Sequence, residues 1–188
     1  HSLNLTLNEL YNGTKKEFTI SHRDRTNTIK TTKYVINIKK GSKHGDNIIV
    51  KEGGNFRPES DSVEDLVIQI IEQSHELYKR EDDDLYIQHS ISLVEALCGC
   101  NFVIDHFGTP INISIDTIIK PNSLFRVSGK GMPLKIDINK PSLSETSDSN
   151  EYGDLIIDLT ILFPTKLDDK RRDILNKIFN YTENTRSE

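Results

Sequence analysis

The chain has 188 residues, of which 35% are hydrophobic and 28% charged, with no Trp and a formal net charge of -5. That apolar content is low for one large core and fits two small ones in an elongated molecule, while dense β-branched runs exclude a disordered chain. The acidic balance excludes general nucleic-acid binding, which needs a basic footprint to release counterions, and no stretch nears the ~18 apolar residues of a membrane-spanning helix.

Period-two alternation, the mark of half-buried strands, appears first over residues 3–7, 18–20 and 34–38. Residues 1–40 also carry eight Lys/Arg against three acids, a basic section suited to a local acidic partner or simply to a solvated face. Turn chemistry at Asn12-Gly13, Lys40-Gly41 and Gly53-Gly54-Asn55 separates the runs, and a polar stretch over 53–62 interrupts them. Alternation returns over 68–70, 111–115 and 155–163, punctuated by Phe107-Gly108 and Ser128-Gly129. A Ser-rich segment, residues 139–151, reads as a polar loop. The fold class expected is mostly β: a pair of tandem, similar sandwich- or barrel-like domains with short helical turns, closed by a C-terminal α-helix.

The tandem arrangement rests on an internal repeat. Residues 5–13 (LTLNELYNG) and 91–99 (ISLVEALCG) share apolar-[ST]-Leu-x-Glu-apolar-apolar-x-Gly at an offset of 86 (Leu5 to Ile91). Asp65-Leu66-Val67-Ile68 and Asp154-Leu155-Ile156-Ile157 follow at an offset of 89 (Asp65 to Asp154). In each copy Ser or Thr predicts the cap of one short helix, with Glu three residues on and Gly ending it. The expected domains are 1–74, 75–163 and a terminal helix and tail over 164–188.

In that last segment Leu167, Ile174, Leu175, Ile178 and Phe179 recur at helical spacing, with Thr165 or Asp168 placed to cap the start. So short a helix must bury its stripe against its own domain or against a partner subunit.

The chemistry of an enzyme is not expected. Gly129-Lys130-Gly131 lacks the third Gly and the strand–helix context of a dinucleotide fingerprint. The acidic run over 81–84 lacks calcium-loop spacing and reads as a solvated turn. The six His form no i, i+4 zinc pair, and two Cys cannot complete a four-ligand site, so neither a metal nor a cofactor is implied. Cys98 and Cys100 are too close to bridge without strain; reduced thiols point to a cytoplasmic or nuclear compartment. The sole Met is Met132, so the chain reads as a piece of a longer protein.

Several segments together resemble the C-terminal substrate-binding region of DnaJ-type J-domain co-chaperones, in the class without a zinc-binding insert. These are the opening residues 1–22, then Leu77-Tyr78-Lys79-Arg80-Glu81-Asp82-Asp83-Asp84-Leu85, similar to an F-x-R-x-G-x-D-L turn, then Glu95-Ala96-Leu97-Cys98-Gly99-Cys100, Gly129-Lys130-Gly131-Met132-Pro133 and Gly153-Asp154-Leu155. The resemblance covers nearly the whole chain. It implies a homodimer that binds unfolded client polypeptide and passes it to a DnaK-type heat-shock chaperone, with no part for nucleic acid or membrane. It places an apolar client groove at Leu3, Phe18, Ile20 and Ile68, with Thr31 at a lining position where relatives carry Lys; on residues alone the four read as inward-facing core. It places the partner's acidic EEVD-type tail at Lys15, Lys16 and His22, and dimerisation on the apolar stripe of the terminal helix. The other reading is an adaptor β-module that recognises mainly that acidic tail. The sequence departs from the family in two ways. The J-domain's His-Pro-Asp motif does not occur, so stimulation of ATP hydrolysis is not expected of this chain. Asp82 stands where the family's turn has Gly, at a position Asp tolerates.

Overall fold

Alternating residues become paired strands in two halves built alike. The computed structural model describes residues 1–135 and 152–180; the Ser-rich segment 139–151 lies outside the described residues. The first half runs β1 (Ser2–Leu5), α1 (Leu7–Asn12), β2 (Thr14–Arg23), β3 (Ile29–Ile38), β4 (Asn47–Val50), β5 (Phe56–Arg57), β6 (Ser62–Val63) and β7 (Leu66–Glu72). β1 lies parallel to β7, and β4 lies antiparallel on its other side. β2 and β3 form a separate hairpin, registered from Thr14 opposite Ile38 to Arg23 opposite Ile29. The polar stretch over 53–62 folds into the small β5–β6 ladder.

The second half repeats the plan. It runs β8 (Lys79–Glu81), β9 (Asp84–Ser92), α2 (Leu93–Cys98), β10 (Cys100–His106), β11 (Thr109–Ile115), β12 (Leu124–Val127) and β13 (Leu155–Leu162). β9 is parallel to β13 as β1 is to β7, β12 lies antiparallel on the far side, and β10–β11 form the hairpin. β8 is an extra edge strand. The last helix, α3, spans Asp169–Asn180.

The repeat has a local physical basis. Thr6 and Ser92 are extended residues whose hydroxyls accept from the N–H of Glu9 and Glu95, and each Glu reaches back to the cap N–H. Two of the helix's orphan donors are satisfied each time, as the sequence predicts. Gly99 ends α2 at φ 92, and a Cβ there would stand 2.6 Å from the Ile115 carbonyl oxygen, so glycine is required on both counts.

Apolar residues on the inner faces form the core, with Leu5, Leu10, Ile68 and Ile70 at its densest in the first half and Leu85, Met132, Leu155 and Ile157 in the second. Each such side chain contributes about 1.5–3 kcal/mol by leaving water. The 81–84 acidic run is the turn between β8 and β9, with Glu81 and Asp82 exposed, but its other two acids are engaged. Asp83 pairs with Lys43 at 3.1 Å and its carbonyl accepts from Met132 N, while Asp84 Oδ1 accepts from Asp154 N at 2.7 Å. Asp83 and Asp84 thus face partners that sequence separation had hidden.

Candidate functional site

The residues assigned to a client groove fall on three elements of the first half, β1, β2 and β7. Ile68 sits on the central strand β7 with 2% of its surface exposed, and Ile20 on β2 with 7%. Both are core. Leu3, beside Ile70 on β1, and Phe18, stacked on Tyr34 at 5.7 Å between centroids, are half-buried and pack against that core. Ile48 and Val50 on β4 are half-buried in the same way. Leu3, Phe18, Tyr34, Ile48 and Val50 thus offer partly accessible apolar surface against the core, while Ile29, Val35, Ile49 and Val67 are exposed. Thr31 lies exposed on the other face of the hairpin, where its hydroxyl shares a 3.2 Å hydrogen bond with that of Ser21.

The three residues assigned to an acidic tail are not one cluster. Side chains alternate along β2, so Lys16 and His22 share its inner face with Phe18 while Lys15 points outward, exposed. Lys16 is ion-paired to Glu9, whose other carboxylate oxygen closes the α1 capping box. Burial raises the Glu9 pKa, but the Lys16 pair and the Thr6 hydrogen bonds outweigh it and hold the group below its ordinary value. His22 Nε2 shares a 2.8 Å hydrogen bond with the Thr32 hydroxyl.

Sequence reasoning missed the join between the halves. Arg80, its side chain only 5% exposed, donates to the carbonyls of Gly41 (3.2 Å), Ser42 (2.9 Å) and Asp82 (2.7 Å) and to Glu72 Oε2 (3.1 Å). Gly41, at φ 75, lies so close to Pro133 that a Cβ would stand 2.1 Å from its carbonyl oxygen. Beside this, Tyr11 at the end of α1 stacks on Phe107 at 4.0 Å and meets His106 edge-on at 5.5 Å. His106 is buried; its Nδ1 lies 3.0 Å from the Tyr78 hydroxyl and its Nε2 has no partner. Burial, then Lys130, pushes the imidazole down to about 4, against a weaker opposing pull from Asp105. The signal in the sequence was the Leu77–Leu85 turn motif. Its Arg80 and Asp83 make contacts that join the halves, on Gly41, Ser42, Glu72 and Lys43, and Asp82 takes φ 55 where the motif has Gly.

α3 begins at a cap: Asp168 Oδ1 accepts from Arg171 N at 2.7 Å. Ile174, Ile178 and Phe179 are about half exposed or more, and Leu167 and Leu175 are half-buried. Among the described residues no group of His, Cys, Asp and Glu could hold a metal ion, and no helix is long and apolar enough to cross a membrane.

The family model for the DnaJ C terminal domain matches residues 1–164. The chain belongs to the DnaJ C-terminal domain family. This is a co-chaperone domain without enzymatic chemistry. The chain is 30% identical over 184 residues to human DnaJ homolog subfamily B member 5, covering 94% of this chain and 49% of that protein. It is 30% identical over 181 residues to human DnaJ homolog subfamily B member 13 (93% and 54%), and 31% over 159 residues to chaperone protein dnaJ 2 of Arabidopsis thaliana (79% and 35%). The chain thus spans about half the length, or less, of these curated relatives.

Proposed function

We propose that this DnaJ C-terminal region, working in the cytoplasm, binds non-native polypeptide at the half-open apolar seam of its first half. As a dimer joined through α3, it then passes the client to a DnaK-type heat-shock chaperone. The observation that carries the reading is the stacked Phe18–Tyr34 pair, left half-buried where it packs against the core of the first half. Accessible aromatic surface next to a sheet edge suits an extended apolar segment: the backbone bonds to the strand and alternate side chains enter the seam. In this arrangement residues 1–74 hold client and partner tail, 75–163 extend the arm, and 164–188 join two copies. Two weak sites on one dimer raise avidity for a long client. An acidic tail of the partner chaperone would meet Lys15, Lys16 and His22, with the Lys16 ammonium exchanging the Glu9 carboxylate for one of the tail's.

The test is binding of a permanently unfolded, apolar model polypeptide to the full chain and to Phe18→Asp, with thermal melting to establish that the variant is folded. A charge in the seam should weaken binding by about tenfold or more, since it must be desolvated against the client. Equal binding by a folded Phe18→Asp would remove the groove. Indifference to the unfolded chain, with capture of an acidic peptide instead, would favour the adaptor reading.

A further inference from the structure

A second surface lies on the other half of the molecule. A cleft of about 570 Å³ opens between residues 75–79, which lead out of the first half, and the outer face of the sheet ordered β12–β13–β9–β8. Leu124, Asp158 and Gln88 lie side by side across three of its strands and form the floor, with Tyr86 next along β9. Glu76 and Leu77 form the wall. Leu77 and Leu124 are 57% and 62% exposed, large apolar side chains turned to solvent on opposite sides of one cleft.

We propose that this cleft binds an extended polypeptide segment in which bulky apolar side chains alternate with Lys or Arg. Two independent observations support it. The first is an open strand edge: β8 pairs only with residues 84–86, whereas β9 continues to Ser92, and among the described residues no strand pairs with 87–92 on that side. An added strand is the occupant such an edge accepts. The second is charge. Glu76 and Asp158 have no cation paired with them among the described residues, while Lys79 is held by Glu81 at 2.6 Å. His75 Nδ1 accepts from the N–H groups of Leu77 and Tyr78. The rim therefore offers two uncompensated carboxylates beside two exposed leucines, complementary to a cationic, apolar strand and repellent to an acidic one. The site is separate from the seam at Phe18 and does not depend on it.

The experiment uses the full chain and two labelled peptides of about nine residues, one alternating Leu with Arg and the other Leu with Glu, read by fluorescence anisotropy. The Leu/Arg peptide should bind at least about tenfold more tightly, and added salt should narrow the gap. Leu124→Ser with Asp158→Asn should erase the preference, while Phe18→Asp should leave it unchanged. Amide shifts of Ile87, Gln88 and Leu124 should move with peptide. Should the double variant fail to fold, Glu76→Gln with Leu77→Ser, both at exposed positions, removes the wall instead. Equal affinity for the two peptides, an unaltered preference in either folded double variant, or loss of binding in Phe18→Asp alone would each overturn the proposal, the last by placing the peptide on the first half. Concentration-dependent shifts at Gln88 and Leu124 without peptide would overturn it too, by seating a second copy there.

Discussion

His106 shows what one buried titratable group does to the pH range of the fold. Its ring is boxed in by Tyr11, Tyr78 and Phe107, with Lys130 and Asp105 the charges acting on it. Unfolded, the imidazole takes a proton near pH 6.5; folded, it resists until about 4. In that window the unfolded chain binds the extra proton, so stability falls as pH falls from 6.5 towards 4 and recovers above 6.5. Wild type should lose about 2 kcal/mol more than His106→Gln between pH 7 and pH 4.5, measured by urea unfolding. Parallel losses in the two proteins would show that the group is solvated in the native state. None of this was legible in the sequence, where His106 is one of six His with no partner pattern. Asp82 was legible: a residue type that tolerates the left-handed region stands at a turn, and φ is 55.

At the scale of elements, the capping boxes were written in the repeat and appear as expected, because a cap is a matter of four adjacent residues. Long alternating runs became strands for the same local reason. β4, β5, β6 and β8 were not singled out; at two to four residues they hold too little pattern, and their partners set them. Which face of a strand is open was equally hidden. Ile20 and Phe18 share a face of β2, yet one is core and the other half-exposed, and Lys15 and Lys16 point oppositely. α3 joins local and distant causes: Asp168 caps it, but among the described residues Ile174 and Ile178 of its stripe stay exposed. A second copy supplying the same stripe would bury it. The full chain should sediment as a dimer and residues 1–163 as a monomer. A monomeric full chain at concentrations on the order of tens of micromolar would end the assignment of Leu167, Ile174, Leu175, Ile178 and Phe179 to dimerisation.

For the whole molecule, the join between the halves decides whether the seam and the cleft sit on one rigid body. Composition suggested two small cores, and the repeat suggested two copies of one plan; neither said how the copies meet. The contacts come from residues far apart in sequence: Arg80 on the carbonyls of Gly41 and Ser42, Lys43 on Asp83, Lys135 on Asp46 at 2.8 Å, and Tyr11 on Phe107. Arg80 is the centre of this set. Its guanidinium is buried and fully engaged, and removing it leaves three carbonyls, those of Gly41, Ser42 and Asp82, and the Glu72 carboxylate without their donor. Breaking a buried pair from one side costs about 3–5 kcal/mol. Arg80→Ala should therefore lower the urea midpoint, or split one transition into two as the halves part. Arg80→Lys should recover little, since an ammonium cannot present the planar fork that reaches Gly41, Ser42 and Glu72 together. A single transition with an unshifted midpoint in Arg80→Ala would mean that the aromatic contacts and the Lys43 and Lys135 ion pairs suffice to hold the halves, and Tyr11→Ala should then be the more damaging variant.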